Sequence, residues 1–120
     1  MSTAIPIFRI FDIAKAAEFY VGWLGFHKNW EHRFDEKAPV YMEIQLRDIR
    51  IHLSEHHGDC SPGARIMVED FENIAAFHEE ILNKNYPYNR PGLEEAFWDS
   101  HTKIVEVVDP FGNRITFTGK

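Results

Sequence analysis

Residues 107 to 118 read VVDPFGNRITFT, two short β-type runs joined by a turn that contains proline and glycine. A similar phrase, LRDIRIHLS, occupies residues 46 to 54. When the ends of the two phrases are superimposed, arginine lies over arginine and the alternation of side-chain types matches, but His52 lies over Thr116. We therefore interpret the two phrases as the closing strands of two related halves.

Each half also contains a helical segment preceded by a short β-type run. In residues 5 to 26, IPIFRIFDIAKAAEFYVGWLGF, Asp12 occupies an N-cap position and Gly25 follows the last turn. Residues 63 to 84, GARIMVEDFENIAAFHEEILNK, repeat this plan with Asp70 in the matching place. Apolar residues recur at helical spacing in both segments. Each half is therefore predicted to follow a β-α-β-β-β order.

Further β-type runs follow each helical segment: HKNWEHRF, PVYMEIQL and IRIHLS in the first half and TKIVEVVD and RITFT in the second, where YPYNRPGLEEAFW is loop-rich with at most an edge strand. In PVYMEIQL and IRIHLS apolar residues alternate with polar ones, as in half-buried strands. The modules span about 1–54 and 63–118 of a single domain, and the polar segment EHHGDCSPGA links them. Because one helix covers only one sheet face, we predict an α+β fold in which paired βαβββ modules form one curved mixed sheet with helices on its outer face.

The alternation also predicts a second sheet face that is polar and aromatic. Its side chains, which point away from the helices, are those of Tyr41, Glu43, Gln45, Arg50, His52, Ser54, Arg114, Thr116 and Thr118. A sheet curled by its twist would make this face the wall of a cleft. A solvated outer face is the alternative, and the pattern alone does not separate the two.

Length and composition narrow the class of protein. The 120 residues are 44% hydrophobic and 27% charged, and no apolar run is long enough for a membrane span. We expect a cytoplasmic protein, because no secretory signal is legible at the N-terminus and the single cysteine, Cys60, cannot form an internal disulfide. The formal net charge of -6 argues against nucleic acid and favours cationic ligands, although solubility alone also explains it.

With FDIAKAAEFYVGWLGF near its start and VVDPFGNRITF near its end, the chain resembles the vicinal oxygen chelate superfamily, which includes glyoxalases and bleomycin-resistance proteins. The resemblance covers essentially the whole chain and implies paired βαβββ modules. It also implies four metal-ligand positions, which correspond here to Ile5, His52, Gly63 and Thr116. Only His52 is a ligand type, so we expect no resident metal and no cofactor. The linker residues Glu55, His56, His57, Asp59 and Cys60 form a rival, less regular metal-ligand set.

The lack of a metal set makes the chain similar to the bleomycin-resistance members, which sequester a large planar cationic drug at a dimer interface. That resemblance implies a homodimer whose groove uses Trp30 and Phe34 in one region and Phe97 and Trp98 in another. Tyr41, Glu43 and His52 on the polar face complete the predicted ligand-binding set. We therefore predict an antibiotic-resistance type of protein that binds a small aromatic or cationic molecule, such as a bleomycin-type antibiotic, without turnover.

Other interpretations stay open at this point. Trp30 and Trp98 are equally suited to core or dimer packing, and Arg50, Arg65 and Arg114 would suit an anionic ligand instead. The chain could also be a lyase, dioxygenase or similar enzyme of the superfamily, metal-dependent or metal-free, with His52 as general base. A third alternative is a module that acts through contacts with other proteins.

Overall fold

The computed structural model describes all 120 residues and contains the predicted β-α-β-β-β order twice. The elements of the first module are β1 (Ile7–Arg9), α1 (Ile13–Ala17, continued by the π-helical segment Glu18–Trp23), β2 (His27–His32), β3 (Tyr41–Leu46) and β4 (Ile49–Ser54). Those of the second are β5 (Arg65–Val68), α2 (Ile74–Asn83), β6 (Glu94–Ala96), β7 (Asp99–Val108) and β8 (Arg114–Gly119). The predicted α+β class is confirmed. Neither helical segment is long and apolar enough to cross a membrane.

The strands form two four-stranded mixed sheets, one per module, whereas the sequence pattern predicted one continuous sheet. Their orders are β1-β4-β3-β2 and β5-β8-β7-β6. In each sheet the first strand pairs in parallel with the closing strand, and the other pairs are antiparallel. Each module thus completes its own hydrogen-bond ladder, which leaves the backbone groups of every inner strand satisfied without the other module.

The first helical segment begins and ends as the sequence predicts. The Asp12 side chain accepts a hydrogen bond from the Lys15 backbone N–H at 3.0 Å, which satisfies one of the free donors of the first turn. Gly25 ends the segment with a φ of 91°, a left-handed conformation that glycine adopts at little cost. The face that the segment buries contains Phe19, Tyr20 and Trp23, whose rings pack against one another.

The second helix begins later than the position of Asp70 suggests. Its N-cap is Asn73, and both Asp70 and Asn73 are left-handed, with φ values of 57° and 55°. Between them the chain buries Phe71, whose ring packs against Phe77 and Phe117. An extra turn therefore precedes α2, because the chain first has to place Phe71 in the core.

A close backbone approach holds that extra turn against the closing strand. The Phe71 N–H donates to the Thr118 carbonyl at 2.9 Å. At the next residue, Gly119, an added Cβ would collide with the Phe71 carbonyl oxygen. Glycine is therefore required at position 119 by contact with backbone rather than by its own φ.

The chain divides into two compact units that follow the modules except at one turn. The first unit is Met1–Ala64 with Asp109–Asn113, and the second is Arg65–Val108 with Arg114–Lys120. The 109–113 turn thus belongs with the first module although it connects two strands of the second. Asn113 shows the reason: its side chain donates to the Arg9 carbonyl at 2.8 Å and accepts from the Ala64 N–H at 3.1 Å.

Candidate functional site

The polar face of the first sheet is built by strict alternation along β3 and β4. Met42, Ile44, Ile51 and Leu53 are buried in the core. Tyr41 and Glu43 alternate with the first pair and His52 with the second, so their side chains lie on the opposite face. Glu43 and His52 are register partners across the antiparallel pair, which brings their side chains into contact.

His52 is the centre of a hydrogen-bonded cluster. Its Nδ1 lies 2.7 Å from the Tyr41 hydroxyl oxygen, and its Nε2 lies 3.0 Å from Glu43 Oε1. Both nitrogens of the imidazole are therefore engaged by side chains of the neighbouring strand, and neither has a position left for a substrate proton or a metal ion.

Glu43 carries the negative charge of the cluster. Asn29 Nδ2 donates to its Oε2 at 2.8 Å, and Arg50 Nη1 lies 3.7 Å from its Oε1. The Asn29 hydrogen bond first, then the hydrogen bond from His52 and the charge of Arg50, hold the pKa of the Glu43 carboxyl below its usual value. Glu43 is therefore a carboxylate at neutral pH, although the residue is only 7% exposed.

Trp30 adds an aromatic surface to this cluster. Its ring is nearly parallel to that of Tyr41, with an interplanar angle of 12° and a centroid distance of 6.0 Å. The His52 ring meets Trp30 edge-on at 5.2 Å. Trp30 is 43% exposed, so one part of its ring contacts the cluster while the rest is open to a ligand.

A bulge in β2 explains how Asn29 and Trp30 reach the same face. The register against β3 shifts between Lys28 and Trp30, which leaves Asn29 as the extra residue. Such a bulge re-aims a side chain, so two consecutive residues contact the face that only one would otherwise reach. The sequence did not reveal Asn29 as a site residue, because alternation counted from Trp30 assigns Asn29 to the opposite face of the sheet.

The remaining predicted site residues lie elsewhere. Phe34, in the loop after β2, packs against His32 at 5.0 Å and is 80% exposed. Phe97 and Trp98 belong to the second unit, at the turn between β6 and β7, where their rings meet edge-on at 5.0 Å. The structure therefore brings together Trp30, Tyr41, Glu43 and His52, and presents the other three as exposed aromatic side chains.

Trp98 lines a cavity of about 850 Å³ in the second unit. The side chain is 51% exposed, which excludes the core position that the sequence left open for it. Met67, Thr102, Thr118 and Lys120 also line the cavity, together with the turn that precedes α2. Of these residues only Trp98 was among the predicted ligand contacts.

The residues at the family's metal-ligand positions do not form a metal site. On the first strand of each sheet, Ile7 lies in register with His52 and Met67 with Thr116, so neither first strand places a nitrogen or oxygen ligand beside the closing strand. No three His, Cys, Asp or Glu side chains are arranged to hold a metal ion anywhere in the chain. The donor set thus does not fit a resident divalent ion.

The linker residues are committed to other partners. Asp59 Oδ2 accepts from the Ser54 hydroxyl at 2.7 Å, and Glu55 Oε1 accepts from the Val40 N–H at 3.0 Å. These carboxylates stabilise the loop after β4 and do not converge with the neighbouring histidines on a common centre. The rival metal-ligand set is thus not assembled.

The second module repeats the charged pattern of the first with one substitution. Glu106 accepts from the Thr116 hydroxyl at 3.2 Å and lies 3.9 Å from Arg114, as Glu43 contacts His52 and Arg50 in the first module. Arg65 adds an ion pair to Glu106 at 3.3 Å. Only the first module therefore has an imidazole and an aromatic stack around its glutamate. The repeat that superimposes Arg50 on Arg114 carries Glu43 to Val107, so the sequence signal missed Glu106 by one residue.

Paired βαβββ modules with a parallel first-to-last strand pair define a vicinal oxygen chelate protein, here without the metal set. The family model described as glyoxalase superfamily protein matches residues 1–120, and the chain belongs to this family. A search of curated protein sequences finds no match.

Several solved structures share the fold over the full length of the chain. The bleomycin resistance determinant encoded on transposon Tn5 is 20% identical, with a TM-score of 0.73 and coverage of 100% of this chain and 98% of that chain. A bleomycin-binding protein complexed with bleomycin is 20% identical, with a TM-score of 0.72 and coverage of 100% and 99%. The bleomycin-binding protein of Streptomyces verticillus, complexed with copper(II)-bleomycin, is 27% identical, with a TM-score of 0.62 and coverage of 100% and 97%.

Proposed function

We propose that this chain is a bleomycin-resistance-like protein that binds and sequesters a small aromatic or cationic molecule, such as a bleomycin-type antibiotic, without turning it over. The observation that carries the proposal is the half-exposed Trp30 ring, stacked on Tyr41 and backed by the His52–Glu43 pair. A rigid aromatic surface of this kind suits a planar ligand, and stacking on it is favourable beyond the area buried.

Charge supports the same class of ligand. Glu43 is an ionised carboxylate beneath the aromatic surface, and the whole chain has a formal net charge of -6. Both features favour a cation over an anion, although Arg50 at the edge of the cluster offers a contact for a ligand that also carries an acceptor. The fold shared with proteins solved in complex with bleomycin makes that drug the first ligand to test.

Binding without turnover is supported by the state of His52. A general base needs a nitrogen within hydrogen-bond reach of the proton that it removes. Both nitrogens of His52 are already within 3.0 Å of side-chain oxygens of Tyr41 and Glu43. His52 is therefore better placed to hold Tyr41 and Glu43 in position than to act on a ligand.

The test is a bleomycin titration followed by tryptophan fluorescence, with recovery of the drug afterwards. Saturable quenching would support the proposal if Trp30→Ala lowers the affinity for bleomycin about tenfold or more. Tyr88→Ala, which removes an exposed aromatic ring elsewhere, is the control and should leave the affinity unchanged. The recovered drug should have an unchanged mass after incubation with or without divalent metal. Absence of saturable binding, or a chemically altered drug, would contradict it.

A metal-free enzyme is the second candidate function, and one observation favours it. The Tyr41–His52–Glu43 chain resembles a relay in which a carboxylate orients an imidazole and the imidazole activates a hydroxyl. Burial first, and then the neighbouring Asp59 and Cys60, raise the pKa of Tyr41, which opposes that activation. Conversion of a tested ligand that Tyr41→Phe and His52→Ala both abolish would favour the enzyme.

We also propose that the protein is a homodimer. Phe34 and Phe97 are 80% and 96% exposed, and a second copy that covered either ring would remove a large apolar area from water. Light scattering at micromolar concentration should give twice the mass of one chain. A stable monomer at that concentration would contradict this proposal without affecting the ligand site of the first unit.

A further inference from the structure

The hydrogen bonds around His52 have a determined direction. Glu43 is ionised and can only accept, so the proton of the Glu43–His52 hydrogen bond must lie on His52 Nε2. Asn29 donates to the same carboxylate from the other side, at 2.8 Å, and takes up a further lone pair of Glu43. Whenever the imidazole carries a single proton, the negative charge of Glu43 thus selects the Nε2–H tautomer of His52.

The tautomer of His52 determines the role of Tyr41. A neutral imidazole that carries its proton on Nε2 has a lone pair on Nδ1, and Nδ1 lies 2.7 Å from the Tyr41 hydroxyl. The hydroxyl therefore donates its only proton inward to His52. Burial and the nearby Asp59 raise the pKa of Tyr41, so that this proton stays on the phenol at neutral pH.

The outward side of Tyr41 is left with acceptor character only. Once its proton is committed to His52, the hydroxyl oxygen has lone pairs to offer and no hydrogen. This oxygen belongs to the ring that lies parallel to the half-exposed Trp30 ring. A planar ligand that stacks on the exposed part of Trp30 and extends toward Tyr41 would meet a hydrogen-bond acceptor whose polarity Glu43 controls through His52.

We infer that the Tyr41 hydroxyl oxygen determines specificity in this site, by accepting a hydrogen bond from an N–H or O–H group of a planar ligand stacked on Trp30. The inference rests on the proposed function, since it assigns the ligand chemistry of the same site. His52 and Glu43 act as positioning residues that keep the Tyr41 proton turned inward.

The first test needs no ligand. Long-range proton–nitrogen NMR on the labelled wild-type protein, in mildly alkaline buffer where an ordinary imidazole is neutral, reports which nitrogen of His52 carries the proton. The inference requires the Nε2–H tautomer. The Nδ1–H tautomer would overturn it, because His52 would then donate to Tyr41 and the phenol proton would turn outward. Glu43→Gln should shift the population away from Nε2–H, because a neutral amide can donate as well as accept.

The second test compares benzimidazole with 1-methylbenzimidazole, planar probes that differ in a single N–H group. Wild-type protein should bind benzimidazole roughly fivefold or more tightly, the value of one hydrogen bond. Tyr41→Phe should reduce this preference to about one, while Tyr88→Phe, which removes an exposed hydroxyl elsewhere, should leave it unchanged. Thermal melting of each variant confirms that the folded protein is being compared.

The possible outcomes distinguish the acceptor role of Tyr41 from the proposed ligand-binding function. Equal binding of the two probes to the wild type, with both weakened by Trp30→Ala, would overturn the acceptor role of Tyr41 and leave the stacking site standing. No saturable binding of either probe would overturn both. If Tyr41→Phe failed to fold, the wild-type preference and the His52 tautomer would still decide the matter.

Discussion

The Tyr20 hydroxyl donates a 2.7 Å hydrogen bond to Asp109, a residue 89 positions further along the chain. Asp109 is buried and also accepts from the Phe111 N–H and from the backbone and side chain of Asn113. The bond joins the first helical segment to the turn in VVDPFGNRITFT, which explains why that turn belongs to the first compact unit. Burial, and then the negative charge of Asp109, raise the pKa of Tyr20 well above its usual value, so the phenol keeps the proton that it donates.

Removal of this hydroxyl should therefore destabilise the protein measurably. Tyr20→Phe removes one of the two donors to Asp109 Oδ2 and leaves only the Asn113 side-chain amide there, and a hydrogen bond to a charged group contributes about 1.5–3 kcal/mol. We expect a loss of that size in the free energy of unfolding measured in urea. Tyr88→Phe is the control, because Tyr88 is exposed, and it should change the value by less than about 0.5 kcal/mol. Equal effects of the two substitutions would show that the Tyr20–Asp109 bond has no special role.

The glycine at position 119 gives a second prediction. Gly119→Ala would place a methyl group against the Phe71 carbonyl, which cannot move without shifting the Phe71 ring in the core. We expect a loss of about 1–3 kcal/mol or more, the usual cost of overpacking. Gly58→Ala is the matched control, since a Cβ there meets no atom within 4 Å and its φ is not left-handed. Thermal and urea unfolding of both variants would test the claim, and a neutral Gly119→Ala would contradict it.

The acid side of the stability curve should depend on Glu43. Because its folded-state pKa is lowered, mainly by the Asn29 and His52 hydrogen bonds, the folded chain binds fewer protons than the unfolded chain in this range. Glu43 therefore stabilises the fold at pH values above the ordinary glutamate pKa of 4.5, and this contribution is lost as the pH falls through the lower pKa of the folded state.

The measurement is the melting temperature as a function of pH for wild type and Glu43→Gln. The wild type should lose stability more steeply as the pH falls below about 4.5. Glu79→Gln, an exposed position on α2, serves as the control and should keep the wild-type slope. A Glu43→Gln curve parallel to the wild type throughout this range would show that the carboxylate is not stabilised by its neighbours.

Trp98 and Trp23 provide a matched pair of tryptophan truncations. Trp98 lines the cavity of the second unit and is half-exposed, whereas Trp23 is buried in the first. Trp98→Ala should therefore lower the melting temperature by only a few degrees, and it should weaken bleomycin binding about tenfold only if the drug also contacts the cavity of the second unit. Trp23→Ala should cost roughly 3–5 kcal/mol in stability. A large stability loss in Trp98→Ala, with unchanged affinity of the folded fraction, would exclude Trp98 from ligand binding.

Several features could be read from sequence because short-range physics determines them. The period-2 runs assigned Tyr41, Glu43 and His52 to one face, since successive side chains on a strand must point to opposite sides. Asp12 and Gly25 delimited the first helical segment, because a side-chain acceptor is favoured at one end and a left-handed residue at the other. The repeat of these local signals in the second half was sufficient to predict the paired modules.

Other features depend on which strands pair, and the sequence does not encode that locally. The bulge that turns Asn29 toward Glu43 follows from the register of β2 against β3, and the two separate sheets follow from how each module closes its own ladder. The late start of α2 reflects the burial of Phe71, and the 109–113 turn joins the first unit through contacts made across the chain. The occupation of both His52 nitrogens likewise exists only once β3 and β4 are in register, because hydrogen bonds require atoms to meet within about 3 Å.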